Sequence, residues 1–177
     1  TRRSSDLAQA NIEEMASKHI VSGTDVDGNT FTPGKSVTNA EFVAMIIRAM
    51  GEAPEGTGTF NDVLSSKWYA GYLAKAKDLG LIQADAAGNI NPLEFITRQE
   101  IATITAKAHA LINTIKLIDK TPSVTFKDAS SVSEQNSIYV EYVQSRQIIV
   151  GYNNLFRPLD LATRAEAVSI IKAMLEK

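Results

Sequence analysis

Apolar residues recur at helical spacing in six stretches of this chain, and three of those stretches open with variants of one four-residue phrase. Ile101, Ile104, Thr105, Ala108, Leu111 and Ile112 share one face of a helix predicted over residues 98–112. Trp68, Tyr72, Leu73, Ala76 and Leu79 share a face of the helix before it, which Gly80 ends. The same pattern predicts helices over residues 8–21, 138–149 and 164–175, and one more beginning after Thr38. The opening phrases are Thr38-Asn39-Ala40-Glu41, Thr97-Arg98-Gln99-Glu100 and Thr163-Arg164-Ala165-Glu166. Each places a Thr three residues before a Glu, so that hydroxyl and carboxylate satisfy each other's backbone N–H in a capping box.

The phrases belong to a longer repeat. Pro33, Pro92 and Pro158 each precede the capping Thr by five positions, with Phe31, Ile90 or Phe156 two residues earlier. The apolar pairs Ile20-Val21, Leu81-Ile82 and Ile148-Ile149 align, followed two positions later by Gly23, Ala84 and Gly151. Phe60-Asn61-Asp62-Val63 and Phe126-Lys127-Asp128-Ala129 lead into the second and third copies, and the first copy lacks this lead-in. The chain divides into units at residues 1–55, 56–120 and 121–177, each a helix, a loop and a capped helix. Residues 1–6 read as a frayed arm, and residues 115–124 as a link that prolongs the second capped helix. One such unit is too small to bury both its stripes, so the units must pack on one another. Periodicity leaves open whether the three copies close on themselves or form an open solenoid.

Composition narrows the chemistry. The 177 residues are 44% hydrophobic and 21% charged, which is ordinary for a globular chain. A formal net charge of -2 gives no bulk cationic surface for nucleic acid or an anionic membrane. No run reaches the roughly 18 to 20 apolar residues that span a bilayer, and no secretory signal opens the chain, so an exported protein would be present as a mature form or a fragment. The absence of cysteine excludes disulfides and thiolate chemistry. No nucleophile elbow, phosphate loop, dinucleotide fingerprint or zinc motif occurs, and His19 and His109 lack ligand spacing. Asp25-Val26-Asp27-Gly28-Asn29 has its glycine misplaced for a calcium loop and Ser36 at the twelfth position, so it reads as a turn. No catalysis, cofactor or metal is expected.

Arg98 and Arg164 are the anomaly. They occupy the first helical position, where a cation opposes the helix dipole. Together with the unpaired N–H groups of a helix start, a guanidinium there makes a site for an anion. Seven residues beyond each motif Glu stand Arg48, Lys107 and Ala173, two of them basic. The loop glycines suit either a positive φ or backbone approached by a ligand. Trp68 and Tyr72, one turn apart, read first as core and second as a stacking face for a sugar.

The ordered set in triplicate resembles the surface-layer homology domain, the cell-wall-anchoring module of bacterial envelope proteins. The resemblance implies an all-α, pseudo-threefold, three-pronged spindle at the extracellular cell wall. Its inter-repeat grooves would hold a secondary cell-wall polysaccharide bearing a pyruvate ketal, and it would be attached to a surface-layer or other surface protein on the same chain. Carried over by position, the motif Arg corresponds to Arg98 and Arg164, the loop Gly to Gly23 and Gly151, and the following cation to Arg48 and Lys107. With their loop and aromatic neighbours, the expected ligand-binding set is Gly23, Arg48, Trp68, Ala84, Asp85, Arg98, Lys107, Gly151, Tyr152, Asn153 and Arg164. Asn39 and Ala84 depart from the pattern, which predicts unequal grooves. Because the Thr163–Glu166 cap survives it, Arg164→Ala is expected to affect binding far more than fold. The alternative is a helical-repeat scaffold whose arginines pair with acidic side chains of a partner protein.

Overall fold

The computed structural model describes residues 4–23, 30–117 and 126–177. Among these residues the regular structure is six α-helices and one 3-10 turn: α1 Ser4–Ser17, α2 Asn39–Ala49, α3 Ala70–Asp78, α4 Arg98–Ile112, the turn Ala129–Ser131, α5 Glu134–Ser145 and α6 Arg164–Glu176. The protein is all-α. The predicted turn at residues 25–29 and most of the link at 118–124 lie outside the described residues, as do the first three residues of the predicted arm. The arm's remainder belongs to α1, and α4 stops at Ile112 rather than running into the link.

The first helices of the first and third units end earlier than their apolar patterns predict, whereas α3 ends just before Gly80, as predicted. α1, α3 and α5 stop at Ser17, Asp78 and Ser145, short of the apolar pairs. His19, Gly80 and Gln147 then adopt left-handed φ values of 56°, 71° and 55°. The N–H groups of Ile20, Leu81 and Ile148 donate back to the carbonyls of Met15, Ala76 and Val143. This is the six-to-one bond of a Schellman ending, used three times. It turns the chain so that Ile20-Val21, Leu81-Ile82 and Ile148-Ile149, all at most 5% exposed, enter the core from outside the helices.

The capped helices α2, α4 and α6 each touch the other two, and the uncapped helices pack around them as the pairs α1 with α6, α3 with α2 and α5 with α4. Each uncapped helix therefore lies on the capped helix of the preceding unit. The packed pairs cross the boundaries of the sequence repeats, which is why one repeat alone has no closed core.

Backbone hydrogen bonds close the arrangement. Val37 N donates to Ala162 O at 3.0 Å, Ala162 N to Ile96 O at 3.2 Å and Ile96 N to Val37 O at 3.0 Å. Each of these three residues precedes a capping Thr, and each is 0% exposed. The ring extends into the helix starts. Asn39 and Ala40 donate to the carbonyls of Glu94 and Pro92, Arg98 and Gln99 to those of Asp160 and Pro158, and Arg164 and Ala165 to those of Lys35 and Pro33. The three units thus form a closed cycle, not an open solenoid. The core they enclose includes Phe42, Ile46, Ile47, Leu73, Ile96, Ile101, Phe156 and Ile171, all fully buried.

Candidate functional site

The ring decides what the helix starts can do. In all three capped helices the first two N–H groups donate to a neighbouring unit, and in α2 and α6 the third donates to the capping Thr hydroxyl at 3.3 Å. The expectation that these amides remain free for an anion is overturned. The dipole end is consumed in joining units. These helix-start amides are therefore not available to a charged ligand.

The motif arginines also reach across an interface. Arg98 Nη1 donates to Glu166 Oε1 at 3.2 Å, and its Nε donates to the Phe156 carbonyl at 2.8 Å. Arg164 Nη1 lies 3.7 Å from Glu41 Oε1, and its Nη2 donates to the Ser22 carbonyl at 2.8 Å. Each guanidinium so leaves the positive end of its own helix for the capping Glu of the next unit, which answers the dipole anomaly. Asn39 keeps only part of this role, donating to the carbonyl of Asn91 at 3.0 Å.

Arg164 is 4% exposed and lies over the Phe31 ring, 4.7 Å from its centroid. Burial pushes its pKa down and the Glu41 carboxylate offsets this in part. Its Nε is buried with no hydrogen-bond partner among the described residues. That contrasts with Arg98, whose Nε is paired. The expectation that Arg164 stands apart from the fold is therefore corrected, because it ties the third unit to the first.

A groove of about 320 Å³ opens beside Arg164 and is lined also by Ser22, Gly23, Lys35, Glu41, Arg48 and Trp68. Four of the expected site residues, Gly23, Arg48, Trp68 and Arg164, come together here from all three units. Trp68 is 59% exposed and stands edge-on to Tyr69 and Tyr72, so its reading as core is corrected. It lies just before α3, in the turn that starts the helix, where the helical pattern no longer turns it inward. Tyr72 is half-buried instead. Its hydroxyl accepts from Arg48 Nε at 3.0 Å while the Arg48 guanidinium lies over its ring.

A second cavity, of about 600 Å³, lies between the third unit's loop and Arg98 and includes Tyr152 among its walls. Asn153 and Asn154 have φ values of 52° and 62° between the mutually bonded Tyr152 and Leu155, a tight turn with both central residues left-handed. The turn holds Tyr152 69% exposed. Asn153 thus builds the loop. Gly151 has no positive φ; a Cβ there would come within 2.4 Å of the Leu155 carbonyl and the Phe126 ring. Its glycine is explained by internal packing.

The remaining expected residues do not line either cavity. Lys107 lies over the Tyr139 ring with Nζ 3.4 Å from the Leu81 carbonyl, and burial lowers its pKa. Ala84 packs half-buried against the core. Asp85 accepts from the N–H groups of Ala87 and Asn89, both at 2.9 Å, so its carboxylate organises a turn.

Two roles escaped the sequence reading. Asp62 and Asp128, the acids of the Phe-x-Asp lead-ins, each accept two backbone N–H groups. Asp62 takes those of Ile90 and Asn91 at 3.0 and 2.7 Å; Asp128 takes those of Phe156 and Arg157 at 2.9 and 2.7 Å. Asn91 and Arg157 are left-handed residues, at 50° and 59°, directly before the connector prolines. That conformation is disfavoured before proline, and the carboxylate clamp holds it. The recurrence of Asp62 and Asp128 at one distance from those prolines was the available signal.

The S-layer homology domain profile matches residues 59–102 and 125–168. The chain is 39% identical over 169 residues, 94% of its length, to an amylopullulanase of Thermoanaerobacterium thermosulfurigenes, covering 9% of that protein. It is 27% identical over 156 residues, 85% of its length, to a cellulosome-anchoring protein of Acetivibrio thermocellus, covering 34% of it. It is 26% identical over 147 residues, 83% of its length, to the surface-layer 125 kDa protein of Lysinibacillus sphaericus, covering 12% of it. The chain spans about a third or less of the length of each of these relatives. Among the described residues no helix is long and apolar enough to cross a membrane. The chain belongs to the S-layer homology domain family, a cell-surface anchoring module of the extracellular bacterial wall.

Proposed function

We propose that the chain anchors an attached polypeptide, without catalysis, by holding a carboxylate-bearing sugar of a secondary cell-wall polysaccharide in the groove beside Arg164. The observation that carries this reading is the meeting of Arg164, Arg48 and Lys35 with the exposed face of Trp68 in one groove. Three cations against one lining carboxylate favour an anion, and Glu41 already belongs to its own cap and to Arg164. Among the described residues the Arg164 Nε has no hydrogen-bond partner, and a ligand carboxylate would supply one. Trp68 offers an apolar wall to the sugar ring. A pyruvate ketal combines the two requirements, a carboxylate fixed on a hexose. Calorimetric titration with pyruvylated and unpyruvylated glycan tests this, the pyruvylated form binding at least tenfold tighter. Equal affinity for the two would refute the carboxylate contact.

A further inference from the structure

We infer that the cavity at Tyr152 is a second glycan subsite with the opposite preference, taking an uncharged sugar unit where the Arg164 groove takes the anionic one. The inference rests on the proposed glycan-binding role and extends it to a site of different chemistry.

Two of the three capped helices carry a cation seated on an aromatic ring of the following unit's uncapped helix. Arg48 lies 4.9 Å from the Tyr72 centroid, and Lys107 Nζ lies 5.3 Å from that of Tyr139. At the third position both members are replaced together. Ala173 stands where the cation would be, and Asn11, nine residues before Ile20 as Tyr72 is before Leu81, stands where the ring would be. Asn11 donates instead to Ser169 Oγ at 3.4 Å. Ala173 and Asn11 both line the larger cavity. The larger cavity, about 600 against 320 Å³, has neither of the two long side chains on its wall.

The charge differs as well. The lining of the larger cavity carries two cations, Arg98 and Arg157, and two carboxylates, Asp160 and Glu166. Arg98 is spent on Glu166 and the Phe156 carbonyl. An anion entering here meets no surplus of positive charge and approaches Glu166, whereas a neutral ligand incurs neither penalty. Tyr152 presents its ring and Ser169, Asn11 and Gln147 present hydroxyl and amide groups, the pairing of flat apolar face and neutral polar edge that suits a sugar.

Backbone amide NMR titration of the whole chain, with an N-acetylhexosamine disaccharide either unmodified or bearing one pyruvate ketal, tests this. The unmodified probe is expected to shift Gln147, Tyr152 and Ser169, and the pyruvylated probe Ser22, Gly23 and Arg48. Tyr152→Ala is expected to weaken the unmodified probe about tenfold without altering the response at Gly23. Asn11→Tyr with Ala173→Arg is expected to abolish the response to the unmodified probe at Ser169. If the amides at Tyr152 respond to neither probe, or respond more strongly to the pyruvylated one, while those at Gly23 still respond, the second subsite is overturned and the proposed function stands. Silence at both sites with both probes overturns both.

Discussion

Replacing Arg164 by Ala separates a surface binding residue from one that also joins units. The side chain is buried, donates to the Ser22 carbonyl, faces Glu41 at 3.7 Å and covers the Phe31 ring. Losing a charged hydrogen bond costs about 1.5–3 kcal/mol. The cation–π contact adds about 0.5–1 kcal/mol, and the Glu41 contact less, because that carboxylate keeps the Thr38 N–H at 2.9 Å. The cavity left behind works in the same direction. A loss of about 3 kcal/mol follows, which for a domain of this size lowers Tm by roughly 6–12 °C. Calorimetric melting of wild type, Arg164→Ala and Arg164→Lys checks it, the lysine falling between the others because it keeps charge but not the planar fork. A melting temperature within about 2 °C of wild type for the alanine variant would refute the structural role and leave Arg164 as a binding residue alone.

Gly151→Ala is expected to destabilise by about 1–3 kcal/mol, since its Cβ would meet the Leu155 carbonyl and the Phe126 ring, and urea titration reads the shift in midpoint. Gln147→Gly relieves a left-handed residue at the end of α5 and should raise stability by about 0.5–1 kcal/mol in the same assay. For Asp128, burial pushes the carboxyl up, but the N–H groups of Phe156 and Arg157 and the Arg157 charge outweigh it, so its folded pKa lies below the usual carboxylate range. A depressed folded pKa stabilises above the unfolded value, near 3.9, and that contribution is lost as pH falls through the folded value. Melting temperature should therefore drop more steeply below about pH 4 in wild type than in Asp128→Asn, and parallel curves would remove the clamp.

Local chemistry was legible in the chain and cross-unit chemistry was not. The capping boxes at Thr38, Thr97 and Thr163, the start of each capped helix and the left-handed Gly80 all follow from residues within a few positions of one another. His19 and Gln147 make the same ending as Gly80 without glycine, so no composition signal marks them, and the tertiary burial of the following apolar pair forces the turn. Arg164 is anomalous by its position in the sequence, but its partners Ser22 and Glu41 lie more than 120 residues away, and spacing says nothing of them. Trp68 satisfies a helical stripe on paper. It lies outside because the helix begins at Ala70, after it.

The closed ring explains why the two grooves can differ. Backbone groups of the connectors and helix starts make the ring, and any residue but proline at the first helical position supplies the N–H it needs. Side chains at that position are consequently free to change. Asn39 uses this freedom, since its N–H reaches the Glu94 carbonyl at 2.9 Å just as Arg98 reaches Asp160 and Arg164 reaches Lys35. Its short amide then bonds the Asn91 carbonyl, holding the neighbouring loop as the guanidiniums hold the carbonyls of Phe156 and Ser22. What Asn39 cannot do is reach Glu100 in the next unit or offer charge to a ligand. Loss of the arginine there removes a cation while retaining the ring, and the same separation lets Ala173 and Asn11 replace a cation and a ring without breaking the cycle.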